Sequence, residues 1–432
     1  MTTGTFTDDF KIAPYWWDAA PRPDLGTPSL PKSADVLIIG SGYTGLCAAL
    51  ETARAGRHTV VIDAEDAGWG CSARNGGLVS TSIKPDFGQL AARHGEQAAF
   101  NILSEGHSAL AWIGDFISAE GINCSFEVSG KFYGAHTAGQ FEKLAKQTAA
   151  KDTGPHVPAH MVPRAEQHKE IGTDAYHGGV VYERHATIDP GKYHLGLLER
   201  AQSAGAEIIS HCRAVNVDQN DTGFTVTTAK GAIQARQVLV ATNGYTDAIS
   251  KWARRRVIPI GSYMIATEPL PKQLMDRLMP KDRTFGDTRK VVYYYRPSPD
   301  RTRIVFGGRV TGGETDPVKS APLLRRDLIA LFPELSAHKV SHTWMGFVAY
   351  TFDHLAHMGQ QDGIYYAMGY CGSGISMASY MGTRIGQQML GKAEGKTAFD
   401  GLNFQTRPLY NGKPWFLAAT VAYYRWRDQL NT

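Results

Sequence analysis

No stretch of the chain approaches 18 consecutive apolar residues, so nothing reads as a membrane-spanning helix. The opening Met1-Thr-Thr-Gly-Thr-Phe-Thr-Asp-Asp segment has no basic start and no apolar core, so no secretory leader is expected. Cysteine is sparse. Cys47, Cys71, Cys124, Cys212 and Cys371 are dispersed, odd in number and without C-x-x-C spacing. That argues against a thiol zinc site or a disulfide framework and points to a reducing compartment, with the cytoplasm as the expected location. Neither charge sign dominates. Lys plus Arg total 45 against 41 Asp plus Glu, and a net charge of +4 gives no reason to expect nucleic acid as a partner.

Glycine, by contrast, is plentiful at 46 residues. Three of them stand in Gly40-Ser41-Gly42-Tyr43-Thr44-Gly45, directly after the all-apolar run Val36–Ile39. Such a run predicts a strand buried on both faces. The pattern from Thr44 to Ala55 predicts a helix stopped at Gly56, and Thr59–Ile62 a second strand ending at Asp63. In that βαβ setting the glycine fingerprint is a dinucleotide site. Gly40 makes the tight turn, Gly42 lets backbone approach a pyrophosphate, and Gly45 lets helix and strand pack closely. The helix start adds free N–H groups and a positive dipole end. Asp63, with Ala64 beside it, is expected at a ribose diol, where its charge disfavours the 2′-phosphate of NADP.

A second loop of small residues follows, Gly68-Trp69-Gly70-Cys71-Ser72-Ala73-Arg74-Asn75-Gly76-Gly77. Ordinary NAD dehydrogenases have no need of it, whereas a loop of this kind can run beside phosphates and then pass close to a flat ring. The segment resembles the GxSxRNGG stretch of flavoproteins in the D-amino acid oxidase superfamily. The leading Tyr15-Trp16, the linker into Ala34-Asp35-Val36 and the GWG-S-RNGG wording are most similar to the γ-glutamylputrescine oxidoreductases in that superfamily. The resemblance implies FAD, held by Gly70, Ser72, Arg74, Asn75, Gly76, Gly77 and Leu78 as well as by the first loop. It places Val215 at the adenine and ends a returning strand at Gly244, over the dinucleotide. It also aims the helix start Gly372-Ser373-Gly374-Ile375 at the pyrimidine end of the flavin. Backbone N–H groups and a helix dipole there stabilise the reduced anion. Ser373 stands where the family pattern carries histidine.

Elsewhere the pattern predicts an extended N-terminal arm whose aromatics dock on the body. It predicts helices over Leu90–Ile117, a strand at Phe126–Phe132 and a solvated loop and helix over 151–170. Asp189 and Pro190 read as N-cap and first residue of a helix running to about Ala204. Ile258–Thr267, Val291–Tyr295 and Arg303–Phe306 read as an antiparallel sheet, and the last residues as a helix packed on the body. Asp353-His354-x-x-His357 is too sparse for a metal site.

The expected class is α/β with α+β character: a Rossmann-like FAD-binding domain (34–88, 185–245 and 345–395) and a discontinuous antiparallel-sheet substrate domain (89–184 and 246–344). An arm (1–33) and a helical tail (396–432) flank them. By resemblance, Tyr294 or Tyr295 and Arg309 face the flavin on the substrate side. Arg296 and Trp344 are further lining candidates. The implied reaction is oxidation of an amine C–N bond. Hydride passes from the amine-bearing carbon to flavin N5 and the imine is then hydrolysed. Such chemistry needs positioning and a neutral amine more than an acid or base, so no catalytic side chain is named. A γ-glutamylputrescine-like amine is the first expectation for the substrate, with O2 or another molecule as electron acceptor. Ile304-Val305-Phe306 lacks the lysine that sarcosine oxidases place on that strand, which weighs against a fast oxidase. Two alternatives stay open. One is a secondary amino acid such as pipecolate, proline or sarcosine, with Arg296 or Arg309 on its carboxylate. The other is a flavin-binding module without turnover.

Overall fold

The computed structural model describes residues 4–81, 83–149, 154–309 and 313–430. Val36, Leu37, Ile38 and Ile39 are buried because their strand, Ser33–Ile39, lies inside a parallel sheet. It pairs with Thr59–Ile62 on one side and with the end of Gly231–Val240 on the other. Glu207–Ile209 and Ile364–Met368 extend the parallel part, and Ala214–Asn220 and Gly223–Thr228 continue it as antiparallel strands. The cradle helix Tyr43–Arg54 covers this sheet and crosses a late helix, Gly374–Met389. Two glycines one turn apart allow the close crossing: a β-carbon on Gly382 would lie 2.5 Å from the Thr44 carbonyl, and one on Gly386 3.1 Å from the Ala48 Cα.

The helices Phe87–His94 and Glu96–Ala119 also belong to this core, through Leu90, Ala99, Ile102 and Ile113 packed with Val36, Leu46 and Met381. The sequence reading had grouped residues 89–184 with the other sheet. A helical period fixes which face is buried but not which neighbour covers it.

The second sheet has nine strands, in the order Phe6–Lys11, Val340–Tyr350, Ile258–Thr267, Ile304–Gly308, Tyr294–Pro297, Thr284–Asp287, Lys131–Gly134, Gly178–Tyr182 and Ala159–Pro163. It is mixed rather than purely antiparallel: Phe6–Lys11 runs parallel to its neighbour, and so do Thr284–Asp287 and Lys131–Gly134 to each other. The arm therefore supplies an edge strand and a short helix, Trp16–Ala19, where proline density had suggested only an extended segment. The strand expected at Phe126–Phe132 begins at Lys131, the one expected at Val291 begins at Tyr294, and Ala159–Pro163 is a strand where loop and helix were expected. Residues 151–153 of that last stretch lie outside the described residues. One face of the sheet packs Phe132, Phe285, Tyr295, Phe306 and Ile265 against Leu324 and Leu328 of the helix Pro317–Leu331. The other face carries Lys131, Tyr133, Gly286, Tyr294 and Gly307, by the period of two along each strand.

Candidate active site

A single cavity of about 1210 Å³ is lined by residues from both sheets. That exceeds the roughly 300–1,000 Å³ of a typical small-molecule site and suits a dinucleotide with room beside it. Gly40, Gly42, Tyr43, Thr44, Asp63 and Ala64 line one end. Gly40 has φ +110°, and a β-carbon there would lie 2.9 Å from the Ala241 carbonyl oxygen. A β-carbon on Gly45 would overlap the Gly40 carbonyl, so Gly45 serves helix–strand packing and does not line the cavity. Ser41 is buried behind the wall. Its N–H and hydroxyl both donate to one Asp63 oxygen, at 2.8 and 2.6 Å, and its Oγ accepts from the Gly68 N–H. Burial pushes the Asp63 carboxyl above its usual range, against these hydrogen bonds.

The second loop closes over the cradle. The Ser72 hydroxyl accepts from the Tyr43 N–H at 3.0 Å, and Asn75 bridges the loop, donating to the Ser72 carbonyl and accepting from the Gly77 N–H. Two buried indoles pin it from outside: Trp16 Nε1 donates to the Asn75 carbonyl (2.8 Å) and Trp344 Nε1 to the Arg74 carbonyl (2.7 Å). The Arg74 guanidinium donates to the Trp69 carbonyl and lies 4.3 Å from the Trp69 ring centroid. Gly70, Ser72, Arg74, Asn75, Gly76 and Leu78 line the cavity, while Gly77, at φ +72°, sits against the Ile188 carbonyl behind it. Gly372, Ser373, Gly374 and Ile375 reach the same cavity from the late helix start, which the Thr44 hydroxyl holds through Tyr370 at 2.7 Å.

Several expected residues stand elsewhere. Val215 is 58% exposed and off the wall; its neighbours Cys212, Arg213 and Ala214 line it instead, a one-residue shift that an alternating strand makes decisive. Gly244 lies behind the wall in a short turn, and Ala241, Thr242, Asn243 and Tyr245 face the cavity. Tyr295 is in the sheet core, stacked on Phe285 with its hydroxyl 3.0 Å from that of Tyr176. Trp344, 1% exposed, serves as the loop pin described above. Arg296 is buried and spends its donors on the Ile188 (2.7 Å), Gly77 (3.1 Å) and Pro297 (3.0 Å) carbonyls, so it clamps the second loop and does not face a substrate. Tyr294 does line the cavity, with its ring over Gly307 and its hydroxyl 2.6 Å from Ser262 Oγ. Arg309 lines it too, but pairs with Glu314 at 3.1 Å and donates to the Gly261 carbonyl. Of the two loop histidines, His357 binds Asp353 at 3.0 Å and stacks on Phe404.

The sequence reading missed Lys84, Lys131, Tyr133 and His185 on the wall, and the residues Leu417, Thr420, Val421 and Tyr424 of the C-terminal helix Leu417–Leu430. A charged residue opening a strand of apolar and small partners, as in Lys131-Phe132-Tyr133-Gly134, was the available signal for the first group.

The glycine turns leave backbone exposed to the cavity where side chains would fill it, and two helix N-termini open onto it. That construction fits a dinucleotide carrying a flat ring and, with the second sheet opposite, fits the class of flavin-dependent oxidoreductases. The model of the FAD dependent oxidoreductase family, DAO, matches residues 35–388, and the chain belongs to that family, with FAD as its cofactor. The gamma-glutamylputrescine oxidoreductase of Escherichia coli is 30% identical over 403 residues, covering 92% of this chain and 93% of the relative. A probable oxidoreductase, OrdL, of Haemophilus influenzae is 26% identical over 428 residues, covering 97% of each. Among solved structures, glycine oxidase from Geobacillus kaustophilus superposes with a TM-score of 0.71 at 18% identity, covering 88% of this chain and 99% of that one. No helix among the described residues is long and apolar enough to cross a membrane.

Proposed function

We propose that this protein oxidises the carbon–nitrogen bond of a small amine, in the cytoplasm, with O2 or another molecule as the final acceptor. The relative from Escherichia coli, whose name gives γ-glutamylputrescine as its substrate, supports an amine of that kind. The observation that carries the reading is the continuity of the cavity from cofactor loop to substrate sheet. A β-carbon on Gly76 would lie 3.2 Å from the Tyr294 ring and 3.3 Å from Met264, so the loop and the sheet face share one narrow space.

FAD supplies, when bound, a two-electron acceptor beside that space. Gly40, Gly42 and Ser72 would hold its pyrophosphate, Asp63 and Ala64 its ribose, and Arg74, Asn75, Gly76 and Leu78 the approach to its ring. The helix start at Gly372–Ile375 would place N–H groups and a positive dipole end against the ring. Tyr294 and Ser262 form a hydroxyl pair on the opposite wall that orients the amine. The apolar Met264 and Ile260 keep water from that side. The substrate gives up a hydride from carbon and a proton from nitrogen. The imine left behind takes up water and separates into a carbonyl compound and an amine or ammonia.

Anaerobic mixing with a panel of amines tests this: the yellow absorbance bleaches with the right class, and readmitting O2 or an artificial acceptor distinguishes oxidase from dehydrogenase. Failure of every amine and amino acid to bleach the holoenzyme sinks the reading.

A further inference from the structure

Both arginines that the sequence offered for a substrate carboxylate are committed elsewhere, Arg296 to carbonyls and Arg309 to Glu314. The cavity nonetheless holds unsatisfied positive charge. Lys131 lines it from the Lys131–Gly134 strand, with its ammonium 4.9 Å from the Tyr133 ring centroid. Lys84 lines it as well, 5.6 Å from the Tyr350 ring. Among the described residues, neither ammonium has a carboxylate within 4.0 Å or a hydrogen bond to any side chain or carbonyl. The nearby Asp287 is already held by Arg289 and by the Tyr176 hydroxyl. His185 is a second and separate sign. It is 7% exposed, lines the cavity, and has no partner on either ring nitrogen among the described residues. Burial, the charge of Lys84 and, against them, Asp287 bring the Lys131 ammonium down to about 8. Burial and Lys131 bring His185 down to about 3. Two like charges and a neutral imidazole around one space, with no counter-ion, are what an anionic group completes.

We propose that Lys131, with Lys84 and His185, is the anchor for a carboxylate of the substrate. The substrate class is then an amine whose carboxylate is remote from the reacting carbon. Lys131 pairs with Thr284, whose strand lies beside that of Tyr294. The Tyr294 ring leans the other way, over Gly307, so two strand spacings, about 10 Å, separate its hydroxyl from a Lys131 ammonium reaching over Gly286. A β-carbon on Gly286 would lie 3.4 Å from Lys131 Cε, so the glycine leaves the lysine room to lie over the Thr284–Asp287 strand. A substrate reaching from Tyr294 to Lys131 needs several methylenes between amine and carboxylate, which an α-amino acid lacks. This inference rests on the amine-oxidation reading for its substrate but not for its site.

The test uses holoenzyme and glutarate as a probe, read by perturbation of the flavin spectrum. The wild type shows saturable binding. Lys131→Met weakens it about tenfold or more, and Lys131→Arg keeps it within about threefold. The Lys131→Met protein melts no lower than wild type, because an unpaired buried charge has been removed, whereas a merely structural lysine would leave a lower melting point. If Lys131→Met does not load FAD, Lys84→Met carries the test with an expected loss of about fivefold. Equal glutarate affinity in wild type and variant overturns the anchor. A second arm compares ω-amino carboxylates of increasing length with plain alkylamines of the same length. Longer amino carboxylates bleach the flavin at lower concentration than the matched alkylamines, and Lys131→Met removes the difference. Indifference to the carboxylate in the wild type overturns the proposal. If no amine of either series bleaches the flavin while glutarate binding still depends on Lys131, the anchor stands and the oxidation reading falls.

Discussion

His194 sits beneath the nucleotide cradle in one protonation state. Its Nε2–H donates to the Ser41 carbonyl at 2.7 Å, and Nδ1 accepts from the Arg22 guanidinium at 2.9 Å. Burial, with Arg22 adding to it, pushes its pKa down to about 3 from 6.5. The unfolded chain therefore binds one more proton than the folded chain between these values. Its contribution to stability is present above pH 6.5 and is lost as pH falls towards 3, by about 1.4 kcal/mol per pH unit. His185 adds a second group of the same sign. The melting temperature is expected to fall steeply below pH 6.5, and His194→Gln, measured by the same pH series, should show a shallower slope. At this scale Gly40 and Gly45 were legible, because the first needs a positive φ and the second a close approach to the Gly40 carbonyl that no side chain permits. The sequence left Tyr294 and Tyr295 unresolved. Neighbours on a strand point to opposite faces, and which face is the core depends on Phe285, Phe306 and Leu324 arriving from elsewhere.

Between elements, the second glycine loop is held from outside by Trp16, Trp344 and Arg296, which come from the arm, the longest strand and the Tyr294–Pro297 strand. The loop's wording was legible because its own hydrogen bonds, Asn75 to Ser72 and to Gly77, are local. Its three outer pins were not, since each reaches across the fold and an isolated Trp or Arg does not announce its partner. Arg296→Met leaves the Gly77 and Ile188 carbonyls without their charged donor, and is expected to lower stability by about 2–4 kcal/mol in denaturant titration. FAD occupancy should fall with it. The KM of the remaining holoenzyme should stay within about threefold, because Arg296 does not line the cavity. A large rise in KM with unchanged stability would return Arg296 to the substrate side.

The whole molecule closes its cavity with its last helix. Leu417, Thr420, Val421 and Tyr424 form one helical face on the wall. Asp428 accepts from the Lys290 and Val291 N–H groups, and Arg425 donates to the Arg309 carbonyl. Truncation after Gly412 is expected to leave FAD bound while raising KM and exposing the flavin to quenching by iodide; unchanged quenching would show that the helix does not shield the site. At this scale the order of the motifs, and the family resemblance they carry, indicated two sheets and one cofactor. The strand contributed by Phe6–Lys11 and the helices packed from 87–119 needed the pairing itself. That pairing also sets a timetable. The Ser33–Ile39 strand finds one neighbour within a few dozen residues, but the other is completed only at Val240, and that strand in turn waits for Ile364–Met368. At ribosomal speeds of roughly 5–20 residues per second, its open edge waits on the order of 10–40 s for Val240 alone. During synthesis this apolar edge is exposed to other nascent chains, and the cavity wall is complete only once Gly372–Ile375 and the last helix have been made.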